Sequence, residues 1–475
     1  MPKLIMKTVL VSIFLFPLFS CGFTVRAEGG GAFLVKDLIP GSHSGSPNEV
    51  FSLNNIVLFR AYTEAVGYAV LWKSDGSSEG TVVLSDKTSP MGWARFGNLG
   101  VFTDSRPFRS DGTEAGTFAL SQGNGASLFV CVNDILFFQY SNRASGPPYS
   151  LYGYELWRSD GTVANTYMVK DINPGPADSY AGPFAGVNGV LFLAADDGVH
   201  GMELWKSDGT EAGTVLVRDI NPGASRSIYA SPWWPYSEFQ GQHFFAATDG
   251  IHGYELWKSD GTASGTVLLK DINPGPADGF VYQTGEFTKA ADKLFFRASD
   301  GVRGLELWVS DGTEQGTHIV KDINPGPDSG YGYNLVALRD FLCFTAYSPD
   351  YGYELWRSDG TENGTYLVKD ICPGPGSGWP TTTVYAQGRV YCCASDGGAY
   401  GTELWTSDGT PEGTFRLTDI VPGPGGSYPN YLAATDHLLF FRAEDDAHGR
   451  ELWAIPLLPA PKAPASAQSA WWRRY

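Results

Sequence analysis

The amino-acid sequence predicts an all-β protein folded as a single β-propeller of about nine four-stranded blades, with eight blades as the alternative count. Three observations support this fold class. Ser-Asp-Gly recurs along the chain, with its Asp at positions 75, 111, 160, 208, 260, 311, 359 and 408. This spacing of about 50 residues is typical of propeller blades. Each repeat contains four extended segments, and the two ends of the chain carry complementary parts of one further repeat.

The repeat that ends near residue 220 illustrates the predicted blade. Its four segments are 182–187, 190–195, 202–207 and 214–220. The second segment is continuously apolar, as expected for a strand covered on both faces. Asn188-Gly189 and Asp208-Gly209 mark turns between segments. No segment has helical periodicity, so four short antiparallel strands are expected in each repeat.

The loop between the third and fourth strands suggests their register. If this loop closes a hairpin, Ser207 lies opposite Thr214, and Trp205 lies opposite Leu216. The same count places a Glu opposite a Lys or Arg, an arrangement that stabilises an antiparallel pair. The predicted structural ion pairs are Glu155–Lys170, Glu203–Arg218, Glu255–Lys270, Glu306–Lys321, Glu354–Lys369 and Glu451–Lys36. The tryptophan that follows each Glu-Leu is expected to pack between blades.

The last of these pairs depends on how the ring closes. Residues 451–453 read Glu-Leu-Trp but have no fourth strand after them, whereas residues 33–41 resemble a fourth strand with no third strand before it. Pairing the two segments completes a ninth blade. It also removes the open edges that an unclosed array of blades would expose.

The repeat Glu-Leu-Trp-x-x-Asp-Gly-Thr-x-x-Gly-Thr, followed by Val-Lys-Asp-Ile-x-Pro-Gly, resembles the bacterial ELWxxDGT repeat proteins. The resemblance covers about residues 33–455, and the propeller domain is predicted at residues 32–455. Six repeats carry it closely, namely those with Trp157, Trp205, Trp257, Trp308, Trp356 and Trp405. It implies an exported propeller protein and implies no known reaction.

The two ends of the chain predict an exported location. Residues 1–27 resemble a signal peptide, with Lys3 and Lys7 before an apolar stretch and Ala27 at a cleavage position. This predicts a secreted, extracellular or periplasmic protein without a transmembrane span in the mature chain. The alternative is an outer-membrane lipoprotein anchored through Cys21, which lies in a lipobox-like sequence. Residues 456–475 are rich in Pro and Ala and predict a flexible tail.

Charge and cysteine content limit the partners. The net charge of −18 disfavours nucleic acid, because phosphate binding requires a basic surface. A monomer is expected. The cysteines have no Cys-x-x-Cys spacing, and most of them are expected to be small buried apolar residues. One disulfide among Cys343, Cys372 and either Cys392 or Cys393 remains open.

The Asp-Gly-Thr loops are weak candidates for metal binding. Their aspartates are Asp208, Asp260, Asp311 and Asp359. Calcium requires six to eight oxygen ligands, so one carboxylate per loop is few, and such an Asp also caps its own turn. No other cofactor is expected. His200, His252 and His448 recur in a second turn but belong to separate blades.

Two insertions interrupt the repeat and predict the functional site. They are residues 140–153 and 224–236, on adjacent blades, and their connections emerge on the same face of the ring. The candidate ligand-binding residues are Trp233, Trp234, Tyr236, Tyr149 and Tyr152.

These aromatics predict an exported, non-enzymatic binding or adhesion propeller that recognises a glycan or a protein. The sequence contains no recognisable nucleophile motif, which favours a non-enzymatic function. The alternatives are a polysaccharide-active lyase or hydrolase and a calcium-stabilised structural surface protein.

Overall fold

The described strands form nine antiparallel sheets of four strands each. The structure is a computed structural model, and it describes residues 31–141, 152–229, 236–281, 287–330 and 333–461. Within these ranges it contains strands and turns and no helix. The all-β propeller with nine blades is therefore confirmed, and the alternative count of eight is excluded.

Each blade takes four strands in chain order, except the last. Blade 1 contains β2 (Asn48–Leu53), β3 (Ile56–Thr63), β4 (Val66–Ser74) and β5 (Val82–Ser85). Blade 2 contains β6 (Met91–Phe96), β7 (Leu99–Asp104), β8 (Arg106–Ser110) and β9 (Phe118–Ala119). Blade 3 contains β10 (Asn124–Val132), β11 (Ile135–Ser141), β12 (Glu155–Ser159) and β13 (Tyr167–Lys170). Blade 4 contains β14 (Gly182–Val187), β15 (Val190–Asp196), β16 (Met202–Ser207) and β17 (Val215–Arg218).

The remaining blades follow the same plan. Blade 5 contains β18 (Tyr236–Phe239), β19 (Gln242–Ala247), β20 (Glu255–Ser259) and β21 (Val267–Lys270). Blade 6 contains β22 (Thr288–Ala290), β23 (Lys293–Ala298), β24 (Glu306–Ser310) and β25 (His318–Lys321). Blade 7 contains β26 (Tyr333–Leu338), β27 (Phe341–Ser348), β28 (Gly352–Ser358) and β29 (Tyr366–Lys369). Blade 8 contains β30 (Thr381–Ala386), β31 (Arg389–Ser395), β32 (Thr402–Ser407) and β33 (Phe415–Arg416). Blade 9 contains β34 (Asn430–Ala434), β35 (Leu438–Asp445), β36 (Gly449–Pro456) and the N-terminal strand β1 (Phe33–Lys36).

The ring closes through strands from opposite ends of the chain. Strand β1 pairs antiparallel with β36, and Leu34 faces Trp453. This gives blade 9 the strand order β1-β36-β35-β34. First strands pack on one another from blade 1 to blade 5 and from blade 6 round to blade 1, so they surround the centre of the ring. The predicted closure is confirmed, and it gives blade 9 the fourth, outer strand that the other described blades also have.

The core lies between blades and contains the repeated tryptophan. Trp205 of blade 4 is buried against Val169 and Ile172, which belong to the end of blade 3. Trp257 packs in the same way on Val217 and Ile220. The prediction that these indoles pack between blades is confirmed. In the short blade 2, Phe108 takes the tryptophan position and stacks on Phe102 with ring centroids 5.3 Å apart.

The predicted Glu–Lys and Glu–Arg ion pairs are wrong. Trp205 does lie opposite Leu216, but Arg218 lies opposite Leu204, one position beyond the predicted Glu203. The same shift separates the partners in Glu155–Lys170, Glu203–Arg218, Glu255–Lys270, Glu306–Lys321, Glu354–Lys369 and Glu451–Lys36.

A β-bulge in the fourth strand causes this shift. In blade 4 the extra residue is Val217, which is buried in the core between blades. A bulge places two residues of one strand opposite one residue of its partner. The cation that follows the bulge is therefore displaced by one position and faces the leucine.

The displaced cation binds the next blade. Lys170 Nζ donates to the backbone carbonyl oxygen of Thr214, 2.8 Å away in the following blade. Lys36 Nζ makes the corresponding bond, 2.8 Å long, to the carbonyl oxygen of Thr81 across the ring closure. These bonds satisfy backbone acceptors in the Asp-Gly-Thr loops and connect neighbouring blades.

Three cysteines, Cys343, Cys392 and Cys393, contribute to the core as thiols, whereas Cys131 is exposed and Cys372 is half-buried. Cys131, Cys343, Cys372, Cys392 and Cys393 are all free within the described chain. Cys343 and Cys392 are buried, and burial raises the pKa of the Cys343 thiol to about 12. No disulfide therefore joins the described cysteines, and the open possibility of a bridge among Cys343, Cys372 and Cys392 or Cys393 is not realised.

Candidate functional site

The connectors between blades are held in place by the glutamate of each Glu-Leu-Trp sequence. The side chain of Glu203 is fully buried. Its carboxylate accepts hydrogen bonds from the N–H of Ile220 at 2.8 Å and from the hydroxyl of Ser227 at 2.6 Å. Burial raises the pKa of Glu203 to about 7. The carboxylate thus ties the connector between blades 4 and 5 to the third strand of blade 4.

Two kinds of connection meet on one face of the ring. The N–H of Ser227, in the connector after blade 4, donates to the carbonyl oxygen of Met202 at 2.9 Å. Asp196, at the end of the second strand of blade 4, donates its N–H to the carbonyl oxygen of Ser179 in the preceding connector, also at 2.9 Å. Fourth-to-first and second-to-third connections therefore share this face, which we call the connector face.

A cavity of about 490 Å³ opens on the connector face between blades 3, 4 and 5. We call it the interblade cavity, and the residues that line it include Gln139, Tyr180, Asp196, Arg226 and Tyr229. Gln139 immediately precedes the insertion at 140–153, and Arg226 and Tyr229 belong to the insertion at 224–236. The cavity is thus lined by the second insertion and by the residue that precedes the first.

Arg226 is the cation of this cavity. Its side chain is exposed, and its guanidinium carbon lies 4.9 Å from the ring centroid of Tyr229. The backbone carbonyl oxygen of Arg226 accepts a hydrogen bond of 3.1 Å from the side-chain amide of Asn221, which holds the connector backbone at this residue. The Tyr229 ring in turn lies 5.4 Å from that of Tyr254. Burial and a hydrogen bond with Tyr229 raise the pKa of Tyr254.

The remaining walls supply an anion, an amide and a second aromatic ring. Asp196 Oδ1 accepts the N–H of Gly198 at 2.7 Å. Gln139 Oε1 accepts the hydroxyl hydrogen of Ser127 at 3.2 Å. Tyr180 is 51% exposed. Asp196 and Arg226 line the same cavity without forming an ion pair with each other, and Arg226 has no ion-pair partner in the described part of the chain.

The predicted ligand-binding aromatics have different positions. Trp233, Trp234 and Tyr149 lie outside the described residues. Tyr152 is half-buried. Tyr236 begins β18 and stacks on Phe184 with ring centroids 4.9 Å apart, so it is part of the packing between blades 4 and 5. It also borders a separate apolar cavity of about 360 Å³ among the inner strands.

The Asp-Gly-Thr loops use their carboxylates internally. Asp208 Oδ1 accepts the N–H of Thr210 at 2.8 Å and its hydroxyl at 2.7 Å. The hydroxyl bond and the backbone bond lower the pKa of Asp208. Gly213 is required here, because a Cβ at that position would lie 2.1 Å from Asp208 Oδ1. The same bonds recur at Asp260, Asp311 and Asp359.

Metal binding at these loops therefore stays a prediction. The described residues contain no group of three or more His, Cys, Asp or Glu side chains arranged to hold a metal ion. The recurring histidines are also engaged locally. His200 Nδ1 lies 2.8 Å from Asp197 Oδ2, and this hydrogen bond raises the pKa of His200. Arg303 takes the same position in blade 6 and pairs with Asp300 at 2.8 Å.

Similarity to known proteins is confined to solved structures. No family model and no curated protein matches this chain. A puromycin hydrolase structure is 16% identical, with a TM-score of 0.40, over 78% of this chain and 61% of that one. A prolyl endopeptidase structure is 11% identical, with a TM-score of 0.42, over 76% of this chain and 55% of that one. The acylaminoacyl peptidase of Pyrococcus horikoshii is 10% identical, with a TM-score of 0.38, over 85% of this chain and 58% of that one.

These comparisons correct the functional expectation. The three solved proteins are a hydrolase and two kinds of peptidase, not adhesins or glycan-binding proteins. They contradict the expected non-enzymatic glycan- or protein-binding propeller, which is abandoned together with its polysaccharide-active alternative. The chain spans 61% of the puromycin hydrolase, 55% of the prolyl endopeptidase and 58% of the acylaminoacyl peptidase. At such identities the likeness concerns the fold alone and assigns no reaction to this chain.

No helix in the described ranges has the length and apolar character needed to cross a bilayer.

Proposed function

We propose that the interblade cavity binds short peptides with free termini. One observation carries this proposal. Arg226 and Asp196 face the same cavity with opposite charges and do not neutralise each other. A zwitterionic ligand would pair with both side chains at once, whereas an anion or a cation alone would face one group of like charge.

The other walls suit a peptide between its two ends. Arg226 presents a planar guanidinium, which matches the geometry of a terminal carboxylate. Asp196 would accept hydrogen bonds from a terminal ammonium, and the amide of Gln139 would pair with a peptide group. Tyr180 and Tyr229 offer aromatic surface for an apolar side chain. The volume of about 490 Å³ lies within the usual range for small-ligand sites.

The cavity belongs to a chain whose export and family are also part of the proposal. Peptidases act on the same class of ligand, but the solved peptidases are too dissimilar to support the proposal, which stands on the cavity alone. Export through residues 1–27, with lipidation at Cys21 as the alternative, stays part of the proposal, as does membership of the ELWxxDGT repeat proteins. The proposal assigns no catalytic residue to this chain.

Calorimetric titration with the tripeptide Ala-Tyr-Ala tests this function. Wild-type protein is expected to bind the free peptide about tenfold or more tightly than its C-terminally amidated form, because the amide cannot form the charged pair with Arg226. In Arg226→Ala the free and amidated peptides are expected to bind with equal affinity. Equal affinity for both peptides in the wild-type protein, or no binding of either peptide, would refute the proposal.

A matched pair of tyrosines provides the control for the walls. Tyr180 and Tyr428 occupy the same position in their connectors and are 51% and 58% exposed, with φ of 49° and 48°. Tyr428 belongs to the connector before blade 9, away from the interblade cavity. Tyr180→Ser is expected to weaken binding of Ala-Tyr-Ala, and Tyr428→Ser is expected to leave it unchanged. Equal losses in the two variants would contradict a peptide site at this cavity.

A further inference from the structure

Seven junctions between blades contain the same buried polar acceptor. It is Oδ1 of the aspartate in the sequence Val-Lys-Asp-Ile and its variants. At Asp419 the variant is Leu-Thr-Asp-Ile, and Asp419 Oδ1 also lies 3.7 Å from Arg416 Nη1. In each case this oxygen is buried and lacks a hydrogen-bond partner within the described part of the chain. The seven residues are Asp37, Asp171, Asp219, Asp271, Asp322, Asp370 and Asp419.

Seven buried donors match these acceptors. They are the indole Nε1 atoms of the repeated tryptophans, and they too lack a partner among the described residues. The seven residues are Trp72, Trp205, Trp257, Trp308, Trp356, Trp405 and Trp453. Each tryptophan belongs to the blade that follows one of the seven aspartates around the ring. An unpaired buried donor or acceptor is costly, so a sevenfold recurrence of both requires an explanation.

At two junctions the contacts show the aspartate and the indole in the same surroundings. Ile172 follows Asp171 directly in the sequence and packs in one cluster with Trp205. Lys170, which precedes Asp171, has its Nζ 5.9 Å from the Trp205 ring centroid. At the next junction, Ile220 packs in one cluster with Trp257 in the same way. The aspartate and the indole thus share one junction.

The two remaining junctions lack both groups. Between blades 2 and 3, Gln122 stands in the aspartate position, and Trp157 Nε1 is not among the buried unpaired donors. Between blades 1 and 2, Phe108 replaces the tryptophan, and Asp86 in the aspartate position is exposed. The orphan acceptor and the orphan donor therefore occur together at seven junctions and are both missing at two.

We propose that each of the seven junctions binds one buried water molecule that bridges the aspartate Oδ1 and the tryptophan Nε1. A water molecule donates a hydrogen to the carboxylate and accepts the indole hydrogen, so it satisfies both groups. A metal cation would pair with the carboxylate but would be repelled by the indole N–H, which offers no lone pair. The chemistry of the pair therefore selects water, and this inference is independent of the proposed peptide function.

A crystal structure at about 1.5 Å resolution would test this proposal directly. One density peak is expected at each of the seven junctions, at hydrogen-bond distance from both atoms. No equivalent peak is expected between Gln122 and Trp157. A direct Asp–Trp hydrogen bond at these junctions would overturn the proposal, and so would a peak with the short distances and several oxygen ligands of a metal ion.

Thermal unfolding of variants gives a second test. Asp219→Ala and Trp257→Phe are each expected to lower the Tm, because each removes one of the two hydrogen bonds that hold the water molecule at the junction. The double variant is expected to be no less stable than the worse single variant, because the second substitution removes a group that has already lost its partner. Additive losses would overturn the shared site. Gln122→Ala, at a junction without this site, is the control and is expected to leave the Tm unchanged.

Discussion

At the scale of single residues, burial of a polar side chain is costly unless its polar atoms have hydrogen-bond partners. The carboxylate of Glu203 is fully buried and is satisfied by backbone N–H groups and by Ser227. His243 is different. It occupies the position of a leucine at the start of the second strand of blade 5 and is fully buried among Phe184, Phe192 and Phe245.

Replacing His243 is expected to stabilise the protein. Both ring nitrogens of His243 are buried and lack a hydrogen-bond partner among the described residues. Leucine, which stands at this position in several other blades, would remove that cost. His243→Leu should raise the free energy of unfolding by about 1–3 kcal/mol in a urea titration at pH 7. A decrease would show that the imidazole has a partner and that its environment is polar.

The buried glutamates make stability depend on pH. Burial raises the pKa to about 7 in five of them, Glu155, Glu203, Glu306, Glu354 and Glu451. Burial also raises the pKa of Glu255 to about 8. Between the unfolded value of about 4.5 and these folded values, the folded chain binds more protons than the unfolded chain. Stability is therefore expected to be full below about pH 4.5 and to decrease as the pH rises through about 7.

Measurement of the Tm from pH 5 to pH 8.5 would check this dependence. His200, His252 and His448 add to it, because hydrogen bonds to aspartates raise the pKa of each and their stabilisation is also lost as pH rises. His243 opposes it, because burial lowers the pKa of His243 to about 3 and stability is lost as the pH falls through about 6.5. The six glutamates outnumber this group, so a Tm that rises steadily between pH 5 and pH 8 would contradict the assignment.

At the scale of the strand, the bulge in the fourth strand determines what each blade contacts. It buries an apolar residue such as Val320 between blades and turns the following cation toward the next blade. Lys321 Nζ then donates to the carbonyl oxygen of Thr365 at 2.9 Å. Lys270 follows the same bulge but has no such hydrogen bond within the described chain.

These two lysines form a matched test of the contact between blades. Lys321→Met should lower the free energy of unfolding by about 1–2 kcal/mol, because the buried carbonyl oxygen of Thr365 loses a charged donor. Lys270→Met should change it by less than about 0.5 kcal/mol. Equal losses on urea unfolding would show that the lysines act through their aliphatic stems rather than through the hydrogen bond.

How much the sequence predicts depends on the element. The period of the Ser-Asp-Gly sequences predicts the blades, and the incomplete segments at 33–41 and 451–453 predict the closure, because both follow from local strand and turn signals. The predicted ion pairs are wrong because the register is counted on a regular strand pairing without a bulge. An apolar residue such as Val217 looks the same in the sequence whether or not it is the extra residue of a bulge. The topology of the insertions predicts their common face. The placement of Arg226 and Asp196 on one cavity is not predictable, since it depends on how the connector after blade 4 folds against that blade.

At the scale of the whole molecule, stability depends on closing the ring between distant parts of the chain. Strand β1 supplies the fourth strand of blade 9, and Glu451 accepts the N–H of Leu38 at 3.1 Å. Lys36 also connects blade 9 to blade 1. Loss of this strand would expose the edge of β36, which is able to pair with another chain.

Deletion of residues 31–41 should therefore lower the Tm and promote association of the protein, as measured by calorimetry and light scattering. A circular permutant that carries residues 31–41 after Pro456 should recover the wild-type Tm, because β1 would again pair with β36. A deletion variant that remains monomeric with an unchanged Tm would show that closure of the ring contributes little to stability.

The cavity between blades 3, 4 and 5 is where the fold and the proposed function meet, and a crystal structure of the protein with Ala-Tyr-Ala tests that link most directly. The peptide carboxylate is expected within hydrogen-bond distance of the Arg226 guanidinium, with the ammonium at Asp196. A peptide bound elsewhere on the ring, or bound here with its carboxylate away from Arg226, would contradict the account.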